Sequence, residues 1–420
     1  MADRYWVGGG ASTNWNATAN TNWSDTDGGA NNATAPGSGD VAIFNGNSGS
    51  GTSVLNTAFT IQNLNCTGYT GTLTHNGGVT LTLNTAAATT LFLSSTMTYT
   101  AASATSLITF ASTSGANNDI TTNGKRLGAM TFNGVGGVYR LLDALRVDIV
   151  AGSLITLTNG TFNANGFAVT TNTLSSSNAN TRSLLLGGGD WTIGAAAATN
   201  TTIWNFSNPT GMTFTKGASN IIVPSNTLPG LRNFAGGSLT YNNLTIDSNS
   251  GRGIIAISGG NTFANLSVGA GNTITFAIGA TNTISSAPTW TGTSSLPIAV
   301  GSGTIGVVGT ISVPSGTLSL SYGAVRDITG SGGATFVANN SFDFGQNTGW
   351  AISPPAAQLT AADIRAAVGL ASANLDTQLA DLPTNAELAT ALVGPLPANI
   401  KQVNDVTVNG IGTAGNPWGP

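Results

Sequence analysis

Hydrophobic and polar residues alternate with a period of two along most of the chain. Thr80–Leu83, Met212–Thr215 and Thr273–Phe276 are typical runs, each four residues long. This period is typical of β-strands with one buried face. Glycine and asparagine steps such as Asn159-Gly160 separate the runs and predict turns. The pattern therefore predicts many short strands, arranged either as hairpins or as the rungs of a solenoid.

An internal repeat helps to distinguish these arrangements. The pattern apolar-x-Asn-Leu-x-apolar occurs in Ile61–Cys66, Tyr241–Ile246 and Phe263–Val268, and the last two copies lie 22 residues apart. A looser copy occurs at Leu142–Val147. A period near twenty residues with no helix inside it is typical of one coil of a parallel β-helix. With about 4.8 Å between neighbouring coils, we expect roughly 14 coils and a rod on the order of 65 Å long.

The sequence thus predicts an all-β fold: a right-handed parallel β-helix or solenoid rod with a small C-terminal α-helical segment and a terminal hairpin. A set of β-sandwich domains, which would show antiparallel hairpins and no regular coil, is the alternative. Changes in composition divide the chain into five regions. They are a Trp- and Asn-rich N-terminal cap at 1–40, the rod at 41–350, a Pro/Ala linker at 351–358, a helical segment at 359–393 and a β-hairpin tail at 394–420.

The tryptophans are expected to be structural. Trp6, Trp15 and Trp23 lie close together in the N-terminal region, and because the ends of a solenoid must be covered, we expect them to pack as a cap over the first coil. The other tryptophans of the rod are scattered and are interpreted mostly as core residues. They are Trp191, Trp204, Trp290 and Trp350.

The helical segment carries a narrow apolar stripe, with residues at spacings of three and four. An isolated helix with such a stripe needs a surface that buries it. We expect it either to self-associate as a short coiled coil or to pack back against the end of the rod. The stripe comprises Ala371 and the candidate oligomerisation residues Ile364, Val368, Leu375, Leu379 and Leu382.

Two further elements are predicted after this stripe. The capping box Thr384–Glu387 predicts a short helix that ends near Val393. In the tail, Val406–Val408 and Pro417-Trp418 are expected to lie on either side of a glycine-rich turn and to form a hairpin.

The chain carries few charges. Of its 420 residues, 12 are Lys or Arg and 16 are Asp or Glu, which is 7% where an ordinary domain has about a quarter. Equivalent positions of a solenoid lie above one another, so like charges repel between coils whereas Asn, Thr and Ser can hydrogen-bond. Low charge therefore fits the predicted rod, and it disfavours a nucleic-acid partner, which needs clustered cations. No apolar run approaches membrane-spanning length, so no membrane insertion is expected.

The sequence offers few catalytic groups. His75 is the only histidine, and its neighbours Asn76-Gly77-Gly78 predict an exposed turn. The only cysteine, Cys66, cannot form an intrachain disulfide and is expected to be a small buried side chain. No metal-ligand spacing, phosphate loop or dinucleotide fingerprint occurs. We therefore expect no catalytic residues, no bound metal and no cofactor.

One local cluster of charges lies in the rod. Arg140, Asp143, Arg146 and Asp148 fall within nine residues, and we interpret them as an ion-paired surface loop. Polysaccharide cleavage would instead require two carboxylates within several Å of each other, for which Asp143 and Asp148 are candidates.

Several stretches near the ends of the rod and in the tail resemble segments of known proteins. They are Trp6–Gly9, Asn22–Ser24 and Asp40–Phe44 at the start, Leu318–Asp327, Gly332–Phe336 and Phe342–Trp350 at the end of the rod, and Leu359–Leu370, Val403–Gly410 and Gly415–Pro420 in the tail. The closing and tail stretches resemble the closing coils of tailed-bacteriophage structural proteins. The start is similar both to phage virion proteins and to bacterial surface β-helices.

This resemblance implies a virion structural protein, a tail fibre or similar appendage that mediates host-surface attachment without catalysis. It implies assembly in the host cytoplasm and exposure on the virion. The implied partners are further copies of the chain, with a trimer favoured, other virion proteins and a host surface glycan. A capsid decoration protein and a tailspike polysaccharide hydrolase or lyase are open alternatives. A bacterial adhesin is disfavoured because we find neither a signal peptide nor a membrane anchor in the sequence.

Overall fold

The chain divides into two compact units, Met1–Pro355 and Ala356–Pro420. The computed structural model describes residues 2–18, 21–85, 88–195, 200–225, 230–250, 253–355, 385–393, 402–403, 406–407, 409–410 and 413–417.

The first unit is a parallel β-helix, as predicted. In its described part, every pairing between strands is parallel except that of Ala2–Trp6 with Trp23–Ser24. The alternative of β-sandwich domains is therefore wrong. Each coil contributes one strand to each of two or three sheets, so that neighbouring strands of a sheet come from successive coils.

Five sheets, numbered here 1 to 5, form the faces of this unit. Sheet 1 contains Trp23–Ser24, Ala2–Trp6, Asp40–Ile43, Leu64–Asn65, Thr89–Phe92, Asn117–Thr121, Val138–Leu141, Gly160–Asn163, Arg182–Leu185 and Met212–Thr215. Sheet 2 contains Phe59–Ile61, Thr80–Leu83, Leu107–Phe110, Ala129–Phe132, Leu154–Leu157, Thr173–Ser175, Thr201–Asn205, Leu231–Ala235, Ile254–Ser258, Thr273–Phe276, Ile298–Ser302, Gly323–Arg326 and Phe342–Asp343.

The remaining faces are shorter. Sheet 3 contains Leu145–Val147, Val169–Thr171, Asp190–Ile193, Asn220–Val223, Thr240–Ile246, Thr262–Val268, Thr281–Ile284, Gly309–Ser312 and Ile328–Ser331. Sheet 4 contains Thr52–Leu55, Thr72–His75 and Thr98–Ala101. Sheet 5 contains Thr289–Thr291, Thr317–Ser321, Thr335–Asn339 and Trp350–Ile352. A single 3₁₀ turn of the described chain, Gly46–Ser48, lies in the N-terminal region.

The alternation in the sequence separates the core from the surface. On sheet 2, inward-facing side chains stack in one column, and each is at most 1% exposed. This column comprises Leu81, Ile108, Met130, Ile155, Leu174, Trp204, Phe234, Ile257 and Phe276. The outward column of the same strands comprises Thr60, Thr82, Thr109, Thr131, Thr156 and Ser175. Burial of the apolar column stabilises each coil against the next.

Coil length varies along the unit. Asn243 and Asn265 occupy equivalent positions 22 residues apart, as the repeat predicts. Ser175 and Asn205 pair across a separation of 30 residues. The number of residues per coil changes because the turns differ in length. In addition, the coils of 231–284 have strands in sheets 2 and 3 only and lack a strand of sheet 1 or 5. Over the described residues, sheet 2 has 13 strands, close to the roughly 14 coils predicted.

The best copies of the internal repeat stack directly on one another. Tyr241–Ile246 and Phe263–Val268 pair in register on sheet 3, and the Asn265 side-chain amide donates to Oδ1 of Asn243 at 2.7 Å. Leu145, from the looser copy, belongs to the same sheet. This amide contact is the neutral interaction between coils that the low charge predicts.

The remaining copy of the repeat occupies a different face. Leu64–Asn65, from Ile61–Cys66, belongs to sheet 1. A similar sequence therefore serves two faces, because both need an inward leucine and an outward amide.

The N-terminal tryptophans pack together, as predicted. Trp23 makes edge contacts with both Trp6 and Trp15, with ring centroids 5.3 Å apart in each case, and Phe44 contacts all three rings. The Trp15 indole donates to Oγ of Ser53 at 2.7 Å in the first strand of sheet 4. The aromatic cluster thereby covers the first coil. Farther along the rod, Trp191, Trp204 and Trp290 are buried, and Trp350 is half-buried.

The second unit contains the short helix Asn385–Val393, where the capping box predicts it. A two-stranded antiparallel sheet joins Gln402–Val403 to Val406–Thr407. The predicted pairing of Val406–Val408 with Pro417-Trp418 includes Val408 and Trp418, which lie outside the described residues, so it stays a prediction. The candidate oligomerisation residues Ile364, Val368, Leu375, Leu379 and Leu382 lie outside the described residues, so their role stays a prediction.

Candidate functional site

Of the four charged residues predicted as one loop cluster, Arg146 and Asp148 form an ion pair, whereas Arg140 and Asp143 bind other residues. Arg140 lies on sheet 1, in register with Asp119 of the preceding coil. Its Nε and Nη2 donate to the two carboxylate oxygens of Asp119 at 2.8 and 3.0 Å. The partner of Arg140 is therefore Asp119, which is distant in the sequence and becomes a neighbour only through stacking of the coils.

Asp143 stabilises a turn of the preceding coil. Its carboxylate accepts hydrogen bonds from the backbone N–H of Thr122, at 2.9 and 3.1 Å, and from that of Asn123. These bonds fix the chain just before Lys125 and Arg126. Asp143 thus has a structural role at the edge of a basic surface.

Asp148 lies between two arginines. Arg126 donates through Nε to Oδ1 of Asp148 at 3.0 Å and through Nη2 to its backbone carbonyl at 2.6 Å. Arg146 donates through Nη2 to Oδ2 at 2.9 Å. The Arg126 and Arg146 side chains are 48% and 47% exposed, whereas that of Asp148 is 10% exposed. A largely covered carboxylate therefore holds two exposed guanidinium groups.

Pairing between coils brings these residues together. Arg126 forms a parallel bridge with Arg146, the central residue of the first strand of sheet 3. Lys125 extends the surface, and its Nζ donates to the carbonyl of Ser95 at 3.0 Å. We call Lys125, Arg126, Arg146 and Asp148 the basic cluster. Lys125 and Arg126 were not among the predicted residues, although they are the only adjacent pair of basic residues in the chain.

The basic cluster differs from the other ion pairs of the described residues. In each of those, one cation meets one carboxylate, as in Arg4 with Asp40 at 3.5 Å and Arg326 with Asp327 at 3.4 Å. In the basic cluster, two guanidinium groups share one carboxylate. Guanidinium forks bind carboxylate, phosphate and sulfate groups well, so the arrangement is suited to anions.

A second exposed surface lies on the last coils of sheet 2. Phe342 and Phe344 stack with ring centroids 6.4 Å apart and are 47% and 65% exposed. Phe344 and Arg326 border a shallow cavity of about 220 Å³ whose floor includes Ala299 and Ala324. This surface is apolar with one cation, and in the described structure it contains no pair of carboxylates.

His75 is buried, so the prediction of an exposed turn histidine is wrong. It is the last residue of Thr72–His75, and its side chain is 0% exposed. Because a carbonyl can only accept, Nε2–H donates to the carbonyl of Val79 at 2.9 Å, and Nδ1 accepts from the Tyr99 hydroxyl at 2.8 Å. Burial lowers the pKa of His75 from 6.5 to about 4, against the opposing effect of the Val79 carbonyl. The imidazole is therefore a neutral part of the core.

This burial predicts acid sensitivity of the fold. Because the pKa of His75 is lower in the folded chain, the unfolded chain binds the proton first, and stability falls as the pH drops from about 6.5 to about 4. The total loss from this group is about 3 kcal/mol. We expect His75→Gln, which retains hydrogen-bonding groups, to lose less stability across this window, measured by urea unfolding at both ends. An equal loss in both proteins would contradict the assignment.

Arg182 is a buried cation that the sequence pattern does not predict. It is 1% exposed, and each of its five N–H groups has an acceptor. Nε donates to Oγ of Ser176 at 2.6 Å, and Nη1 and Nη2 donate to the carbonyls of Ser176, Asn180, Asn208 and Thr210 at 2.6 to 2.9 Å. Arg182 thus joins the turns of two successive coils.

The remaining chemistry is limited. Cys66 is a free and fully buried thiol, as expected, and burial raises its pKa. Within the described ranges, no group of three His, Cys, Asp or Glu side chains is placed to hold a metal ion. The helices of the same part of the chain include none that is long and apolar enough to cross a membrane.

Comparisons with known proteins give no relative on which to base an assignment. A scan against protein-family models found no match, and neither did searches of the curated proteins and of the solved structures.

Proposed function

We propose that this chain is a virion structural protein of a tailed bacteriophage, a tail fibre or similar appendage that attaches to the host surface without catalysis. The observation that carries the proposal is the continuous sheet 2, which has 13 strands in the described residues. At about 4.8 Å per strand it extends for roughly 60 Å. Stacked coils joined by main-chain hydrogen bonds form a stiff rod, which is what an attachment appendage requires.

The surface of the rod supports a role in presentation. Its outward columns are mostly Thr, Ser and Asn, as on sheet 2, where Thr109, Thr131 and Thr156 follow one another. The turns between strands lie along the sides of the rod, where they can vary without disturbing the core. The resemblance of the end and tail stretches to phage structural proteins supports the same assignment.

The proposed partners follow from this role. Further copies of the chain, with a trimer favoured, would associate, and other virion proteins would anchor the appendage. A host surface glycan would be the attachment target. The proposed location is the virion, with assembly in the host cytoplasm.

Immunogold electron microscopy tests the proposal. An antibody raised against the purified full-length protein is applied to intact particles whose genome encodes this sequence. We expect gold at the tail or its appendages. Labelling confined to the capsid would indicate a decoration protein. A virion role would be contradicted if the particles carry no label and the protein is absent from every fraction of the purified particles.

A further inference from the structure

The basic cluster has more positive charge than its neighbours neutralise. Among the described residues, Arg126 and Arg146 share the Asp148 carboxylate, Lys125 donates to a backbone carbonyl, and the Asp143 carboxylate accepts from backbone N–H groups. The arginines are about half exposed, while Asp148 is mostly covered by them. Positive charge therefore faces solvent, and the compensating charge lies beneath it. This is a local exception on a chain whose net charge is −4.

The two guanidinium groups are held in place but retain free donors. Among the hydrogen bonds of the described residues, Arg126 uses two of its five N–H groups and Arg146 uses one. Their positions are fixed by the shared Asp148 and by pairing of their backbones in adjacent coils. Such fixed planar forks suit bidentate binding of an anion, because little side-chain freedom is lost on binding.

The surroundings indicate which kind of polyanion fits. Two hydroxyl groups follow Arg146 on the outer face of sheet 3, since Thr170 and Thr192 are in register with it, and Ile222 occupies the position after them. Hydroxyl groups next to a small cationic patch match a chain that carries both hydroxyls and occasional anionic groups. A nucleic acid, with a phosphate at every residue, needs a longer basic track than three cations supply.

We propose that the basic cluster binds carboxylate, phosphate or sulfate groups of an anionic polysaccharide, with sheet 3 hydroxyls contacting its sugar hydroxyls. The proposal rests on the proposed function, in which the rod contacts a host surface glycan, and it names the chemical class of that glycan. No bond is made or broken, so the site is one of recognition only.

Biosensor binding with the full-length protein tests this inference. The probes are polygalacturonate for carboxylate, dextran sulfate for sulfate, polyphosphate for phosphate, uncharged dextran and a thymidine oligonucleotide. We expect binding of at least one of the first three but not of uncharged dextran. Binding should weaken roughly tenfold between about 50 and about 200 mM salt, as for a contact that releases two or three counterions.

Matched variants locate the binding. Arg126→Gln combined with Arg146→Gln should weaken binding about tenfold or more. Arg140→Gln removes one guanidinium group from a half-buried one-to-one pair away from the basic cluster and should leave binding within about twofold. If the double variant does not fold, Lys125→Gln should give a loss of about threefold, since the Lys125 ammonium donates to the Ser95 carbonyl and pairs with no carboxylate among the described residues.

Other outcomes overturn the inference. One is that the protein binds none of the polyanions, or binds uncharged dextran equally well. Another is that the Arg140 variant and the double variant lose binding equally. Where the double variant does not fold, unchanged binding by Lys125→Gln has the same meaning. Tighter binding of the oligonucleotide would assign the cluster to nucleic acid instead. Particle labelling is independent of these binding measurements. A virion protein that binds no glycan would label particles but fail the binding test, and a glycan-binding protein outside the virion would do the reverse.

Discussion

Replacement of Arg182 by alanine is expected to lower the free energy of unfolding by about 3 to 5 kcal/mol. The reason is that four main-chain carbonyls inside the structure would lose the Arg182 N–H groups that donate to them. They are the carbonyls of Ser176, Asn180, Asn208 and Thr210. Buried carbonyls without a donor retain the full cost of their desolvation. Urea denaturation followed by tryptophan fluorescence measures the loss.

Two further variants make this result specific. Arg140→Ala removes the same side chain from a half-buried ion pair that solvent still reaches and should cost much less. Arg182→Lys retains the charge but has only three donors for five acceptors, so we expect a loss between those of wild type and alanine. If Arg140→Ala and Arg182→Ala cost the same, the buried hydrogen bonds of Arg182 do not stabilise the rod.

Trp204→Ala is expected to have an effect of similar size, about 3 to 5 kcal/mol, because it leaves a large cavity in the core. Trp204 is fully buried and stacks on Phe234, with ring centroids 5.7 Å apart and planes 2° from parallel. Phe206 packs at 5.0 Å, and the indole N–H donates to the Tyr241 hydroxyl at 3.1 Å. The substitution therefore removes packing and leaves a buried hydroxyl without one partner.

Trp350→Ala is the matched control, since it removes the same atoms from the last strand of sheet 5. Trp350 is half-buried, and its main aromatic contact is Phe336, with ring centroids 5.2 Å apart. We expect a loss of about 1 to 2 kcal/mol. A loss at Trp350 equal to that at Trp204 would show that the aromatic packing around Trp204 does not contribute more to stability than the packing at the end of the rod.

The strands and the coil could be predicted because both depend on local sequence. Alternation fixes which side chains of a run such as Thr273–Phe276 face inward, whichever strand lies beside it. The copies of the Asn-Leu repeat at 241 and 263 predicted a parallel solenoid, and their side chains do stack. Low charge followed from the same stacking, because like charges would meet in successive coils.

Contacts between coils could not be predicted, because they depend on the length of every intervening turn. Arg140 pairs with Asp119 and Arg146 lies beside Arg126, and neither partner is close in the sequence. The Gly-rich neighbours of His75 predict a turn, but His75 is the last residue of a strand whose alternation places its ring in the core. The basic cluster was likewise visible only in part, through Arg146 and Asp148.

The central claim is that successive coils stack in parallel and in register. Thr131 and Thr156 are outward-facing partners in adjacent coils, and Ser175 lies one coil further on. Neighbouring parallel strands are about 4.8 Å apart, so a cysteine pair at 131 and 156 is within disulfide range, whereas a pair at 131 and 175 is roughly 9.6 Å apart and is not. Buried Cys66 should not compete for oxidation.

The decisive measurement is peptide mapping by mass spectrometry of two oxidised double variants, Thr131→Cys/Thr156→Cys and Thr131→Cys/Ser175→Cys. The parallel β-helix predicts an intrachain disulfide in the first variant and free thiols in the second. A disulfide only in the second variant, or in neither, would contradict the stacking of coils on which the rod and its proposed function depend.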